Sequence, residues 1–267
     1  MKFDNKTYML LETDSFARKA LIAGTAGVLL SVIGAFMDHS TFYQAYLTAF
    51  TFFTTISLGG LFFVLVHHVT GAHWGIVMRR VAENLACTLP LMGFFMIPLF
   101  FGMHDLFHWS HADVVAQDPI LQGKAGYLNV TFFVIRNVVY FVIWGWLVHS
   151  LRKLSIAQDN GDTEALGKMR RIAAGGTPLY AITVTMFAFD WLMSLDPHWY
   201  STIFGVYVFS GGFLGGLALL SILSIVLRNN GAGDIVTAEH THDLGKFLFA
   251  FTAWWGYNGG AQDFLIW

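Results

Sequence analysis

The chain has 267 residues, of which 55% are hydrophobic and only 12% charged, where a soluble domain carries roughly a quarter charged residues. That composition places it in a membrane, and a formal net charge of -2 without any long basic run argues against a polyanion-binding surface, so no nucleic-acid partner is expected. The single cysteine, Cys87, excludes an internal disulfide, an iron–sulfur cluster ligated by this chain alone and a two-cysteine haem attachment.

The first seventeen residues, MKFDNKTYMLLETDSFA, lack the basic, apolar, small-residue order of a cleaved signal peptide. The first apolar segment is therefore expected to stay as a helix. With about 20 apolar residues needed per span, six complete spans fall at 20–37, 45–66, 86–103, 129–149, 174–193 and 203–227, and a seventh begins near Phe247 and runs into Trp267. The whole chain, 1–267, reads as one transmembrane helical domain, and its end inside a span suggests a truncated product.

Along the second span Thr48, Thr51 and Thr55 lie on one helix face that Gly59 continues. Such a row of hydroxyls either relays protons or is a set of small residues admitting close helix packing. His67 and His68 at the end of that span, with His149 at the end of the fourth, could ligate a b-type haem or anchor at headgroup level. The connection HDLFHWSHADVVAQDPILQGK is expected to pack on the outer face. Within it His104, His108 and His111, beside Asp105, would share one face of a helix; a metal site is conceivable there, but no cysteine supports it and none is expected.

A charged group deep in a bilayer costs on the order of 3 kcal/mol and faces the bundle interior. Arg136 in the fourth span and Asp190 in the fifth lie at matching depths for an ion pair. The pair is either a lock between two helices or a carboxylate tuned for proton exchange. Just beyond, Asp196 and His198 sit beside Trp191, Trp199 and Tyr200. The aromatics fit an interfacial belt, and the same group could hold a quinol ring and accept its protons. The segment RKLSIAQDNGDTEALGKMRR is expected to form a short polar helix with a basic end against anionic headgroups. In the sixth span Gly211/Gly215 and Gly212/Gly216 are small-xxx-small pairs that mark close packing. At the entrance to the seventh, Glu239, His240, His242, Asp243 and Lys246 form a cluster that either collects protons or is a solvated loop.

Sorting the Lys and Arg residues by the loops between these spans puts Lys2, Lys6, Arg18, Lys19, Arg79, Arg80, Arg152, Lys153, Lys168, Arg170, Arg171, Arg228 and Lys246 on one side and only Lys124 on the other. By the positive-inside rule the N-terminus is cytoplasmic.

Five stretches together carry a family resemblance: VMRRVAENLA at 77–86, HDLFHWSH at 104–111, DPILQGKAGYLNVTFFVIRN at 118–137, FDWLMSLDPHWYSTIFGVY at 189–207 and EHTHDLGKFLFAF at 239–251. They resemble the ActF subunits of bacterial alternative complex III, a quinol:cytochrome c (or electron-carrier) oxidoreductase. The resemblance implies an all-α, NrfD-like, polysulfide-reductase-type bundle of about ten helices in the bacterial inner membrane. It also implies partners: a homologous NrfD-like membrane subunit thought to carry the main quinol site, an iron–sulfur subunit, and c-type cytochrome subunits that hold the haem. Within such a subunit polar residues are proposed to line a proton path, and the matching positions are Asp190, Asp196 and His198 near the outer face, with His242 and Asp243 at the cytoplasmic entry. The chain departs from the family in ending at Trp267 and in the Gly259–Gly260 pair of its seventh span. The function expected is support of quinol oxidation, with or without proton translocation. A structural anchor for outer redox subunits is the alternative from another class, and a secondary transporter lacks the internal inverted symmetry it would need.

Overall fold

The computed structural model describes residues 13–72 and 75–266; Lys2, Lys6 and Trp267, used in the orientation and chain-end arguments, lie outside them. The described residues are helical, with no strand among them. Twelve α-helices follow in order: α1 (Thr13–Met37), α2 (His39–Thr70), α3 (Ile76–Ala86), α4 (Leu89–Phe95), α5 (Ile97–Phe101), α6 (Met103–Leu106), α7 (Ala112–Gln117), α8 (Pro119–Lys124), α9 (Val130–Asp159), α10 (Ala165–Trp191), α11 (Phe204–Leu227) and α12 (Ala238–Ile266). Six stretches are long and apolar enough to cross a membrane: Ala17–Met37, His39–Thr70, Ile76–Phe101, Val130–Asp159, Ala165–Leu195 and Phe204–Ala232. The chain is a multi-pass membrane protein.

The third span is where expectation and structure differ most. Its apolar run was expected over 86–103, but the helix already starts at Ile76 and is broken into α3, α4 and α5. Pro90 and Pro98 sit in the first turns of α4 and α5; a proline lacks the N–H and its ring crowds the preceding turn, so each ends one helix and opens the next. The polar segment between the fourth and fifth spans forms no separate helix. Instead α9 runs on to Asp159, α10 already begins at Ala165, and Gly161 turns the chain between them with φ +95°. The seventh helix starts at Ala238, well before Phe247, and its 29 residues are too polar to count with the six.

The bundle is organised around α2, which packs on α11, α3, α10 and α4. Helix α9 lies on α10 and α4, α12 lies on α11, and α1 rests against α2 with none of its spanning part buried. Where α2 crosses α11 the backbones almost touch: a Cβ added at Gly59 would meet the Gly212 carbonyl at 2.7 Å, and one at Gly212 would meet Thr55 Cβ at 2.8 Å. Without a hydrophobic drive between helices in lipid, this approach and interhelical hydrogen bonds hold the bundle together. Tyr180 donates to the Leu58 carbonyl at 3.0 Å, Trp144 to Thr183 Oγ1 at 2.8 Å and Tyr46 to the Phe95 carbonyl at 2.9 Å. Phe50, Phe133, Phe187 and Trp191 fill the centre with tilted and edge-on ring contacts.

Two ends can be told apart. The basic end gathers Arg79 and Arg80 of α3 with Arg152 of α9. The opposite, loop end carries α6, α7 and α8 and the turn after α10.

Candidate functional site

At the loop end the last turn of α10 meets the second turn of α9. Arg136 donates from Nη2 to Asp190 Oδ1 at 2.8 Å and from Nε to Oδ2 at 3.1 Å, the two-pronged geometry that makes guanidinium–carboxylate pairs strong. Tyr140, one turn along α9, donates to Oδ2 at 2.9 Å. The remaining arm of Arg136 reaches the Tyr127 carbonyl at 2.8 Å, and the guanidinium lies 3.8 Å from the centre of the Tyr127 ring and 4.3 Å from that of Phe132. Asp190 has no exposed surface and Arg136 is 8% exposed. Burial and the Asp190 carboxylate raise the Tyr127 phenol above its ordinary pKa, so it stays protonated beside the pair. Next to it Trp191 Nε1 donates to Asn137 Oδ1 at 2.5 Å. The unit is neutral and hydrogen-bonded, and its carboxylate is closed to solvent. Its geometry is that of a lock between α9 and α10.

The second loop-end feature is accessible. His198 Nε2 meets Asp118 Oδ2 at 2.6 Å, and Asp118 also caps α8 by accepting from the Ile120 and Leu121 amides at 2.8 and 3.3 Å. Partial desolvation pulls the Asp118 carboxyl upward, but the bonds from His198 and the two amides outweigh it and hold the group below the usual carboxylate value. Lys124, at the end of α8, donates to the Pro197 carbonyl. Asp196, expected beside His198 as a second proton acceptor for a quinol, is a peripheral neighbour: its Oδ1 accepts from the His198 amide at 3.2 Å and lies 3.9 Å from Nδ1. The working partner is Asp118, whose Asp-Pro signature at a helix start was the signal that could have found it.

At the basic end lies a third cluster, which sequence reasoning passed over. Glu83 of α3, 3% exposed, accepts from Arg80 Nη1 at 2.8 Å, Arg152 Nη1 at 3.0 Å and Ser155 Oγ at 2.6 Å, with Arg79 Nε at 3.4 Å. Arg80 also reaches Asp159, and Arg79 donates to Gln158 Oε1 at 3.1 Å. The network ties α3 to α9.

The remaining candidates disperse. Thr48, Thr51 and Thr55 donate to the carbonyls of Gln44, Leu47 and Thr51 at 2.9, 2.8 and 2.8 Å, so their protons are spent on their own helix and Thr55 serves the packing against Gly212. Asp105 faces His39 at 3.7 Å. The three imidazoles of the connection after the third span share no helix, because α6 ends at Leu106 and the backbone is extended at Phe107 and His111. His111 Nε2 instead contacts the His104 carbonyl at 2.9 Å. Among the described residues no group of three or more His, Cys, Asp or Glu could hold a metal ion. His67 and His68 are buried, whereas His149 lines an outward groove with Cys87 and Arg152. His242 is exposed and Asp243 pairs with Lys246 at 3.0 Å, as a solvated helix start would.

A cleft of about 1000 Å³ opens between α1 and the α2/α4 surface, lined by Phe36, Phe42, Phe50, Phe53, Phe94 and Phe95, with Asp38 and Thr41 as polar members. No protein-family model matches the chain, and no curated protein matches it in sequence.

Proposed function

We propose that the chain is a membrane subunit of a respiratory quinol:cytochrome c (electron-carrier) oxidoreductase in the bacterial inner membrane, of the kind its motifs resemble, and that it supports quinol oxidation at the loop end. The observation that carries this reading is the His198–Asp118 pair, with an exposed imidazole on a half-buried carboxylate. Quinol oxidation releases two protons, and an imidazole oriented by a carboxylate at the membrane surface is a suitable acceptor. Support also comes from the apolar cleft beside Asp38 and Thr41, which has the size and lining of a site for a prenylated ring. In this reading the electrons travel on iron–sulfur and c-haem partners, and an NrfD-like neighbour shares the membrane.

A second reading, a structural anchor for outer redox subunits, is favoured by the closure of the Arg136–Asp190 pair, which leaves no titratable surface for a proton path. The discriminating experiment isolates the tagged chain from native membranes in mild detergent. The material is assayed for c-haem, iron–sulfur signal and quinol-driven cytochrome c reduction, and the assay is repeated with His198→Ala and Asp118→Asn. Quinol oxidation reduced at least tenfold in a normally assembled complex supports the first reading. Full activity in both variants leaves the anchor, and a chain that emerges alone and colourless overturns both.

A further inference from the structure

A furrow runs along the outside of α9 where it meets α3, α4 and α5. Its part nearer the basic end has a volume of about 420 Å³ and is lined by Cys87, Pro90, Gly145, His149, Arg152 and Lys153 among others. A second part, about 330 Å³, shares Pro90 and continues between Phe100 and Val138. From Val138 to Ile156 the furrow follows 19 residues of helix, or about 27 Å over the 18 steps between them at 1.5 Å each. The walls at the far end are wholly apolar, whereas one imidazole, one guanidinium and one ammonium crowd the near end.

The charge at that end is not cancelled. Arg79, Arg80 and Arg152 meet only two carboxylates, Glu83 and Asp159, and Lys153 makes no ion pair among the described residues while standing exposed. The near end is therefore a cationic mouth on an apolar channel within a membrane-spanning surface.

We propose that this furrow binds one anionic glycerophospholipid, its phosphate held by Arg152 and Lys153 and one acyl chain laid along Pro90 and Gly145 toward Phe100. Basic pockets between spanning helices recognise anionic headgroups in this way, and the stretch from Arg152 back to Val138, about 21 Å at 1.5 Å per residue, matches one headgroup layer plus one leaflet of a hydrocarbon core about 30 Å thick. Lys153 selects for the negative headgroup, whereas Gly145 keeps the channel open, since nothing lies within 4 Å of a Cβ added there. The inference is independent of the quinol reading: it rests on a different face and different residues.

The test places the full chain in bilayer discs of equal parts phosphatidylglycerol and phosphatidylcholine and counts retained lipids by native mass spectrometry. The native chain should retain one phosphatidylglycerol with a preference of at least about threefold over phosphatidylcholine. Lys153→Gln should abolish the preference while keeping a lipid, and Gly145→Leu should lose the lipid. Neither substitution touches the Glu83 network, so helical circular dichroism should be unchanged in both. Equal retention of the two lipids by the native chain, or unchanged preference in Lys153→Gln, overturns the proposal. So does displacement of the lipid by inorganic phosphate, which would show an anion site without an acyl channel.

Discussion

Two buried carboxylates, at opposite ends of the bundle, meet the same difficulty in different ways. Asp190 is matched one to one by Arg136, and Tyr140 takes a further lone pair. Glu83 is surrounded by three arginines and a serine, so its cluster is cationic and Arg80 and Arg152 stay partly exposed. The Asp190 unit is sealed and depends wholly on its pairing. The Glu83 unit can pass its surplus charge to the headgroup region, where long cationic side chains reach water or phosphate.

The largest effect expected follows from breaking the sealed pair. Asp190→Asn strands the Arg136 guanidinium among aromatics and should cost about 3–5 kcal/mol, seen as a lowered thermal midpoint and poor yield in detergent; replacing both partners by leucine should restore most of the loss. Glu83→Gln should cost less, about 2–3 kcal/mol, because its arginines can turn outward. Equal losses in the two variants would erase the distinction between the ends. Tyr140→Phe sharpens the point by removing one hydrogen bond while leaving the charge pair, for about 1 kcal/mol in the same melting assay.

The smallest effect belongs to the partly buried carboxylate at the loop end. Asp118 is held below its ordinary pKa, so its contribution is present above the unfolded value and is lost as pH falls through the folded one. Carboxylate infrared bands should show Asp118 protonating at lower pH in the native chain than in His198→Ala, with little change in global stability at neutral pH.

Hydropathy located the six spans because a bilayer demands long apolar runs, and matching depth located Arg136 and Asp190. The start of the third span escaped, since Arg79, Arg80 and Glu83 read as solvated when their mutual neutralisation is invisible. That neutralisation needs Arg152 and Ser155 from α9, which no local pattern announces. The same holds for His198, whose nearest acid in sequence, Asp196, is not its principal partner. The threonine row was visible, but its hydroxyls bond backward to their own helix, as threonines in helices do.

One residue, Asp38, joins α1 to α2, capping α2 through Thr41 with contacts of 3.3 Å to the amide and 2.7 Å to the hydroxyl. None of the spanning part of α1 is buried against the rest of the chain. Mechanically, α1 is a lever on a short pivot. A change in bilayer thickness is expected to shift α1, which buries none of its spanning part, before it strains the glycine-tight crossing of α2 and α11.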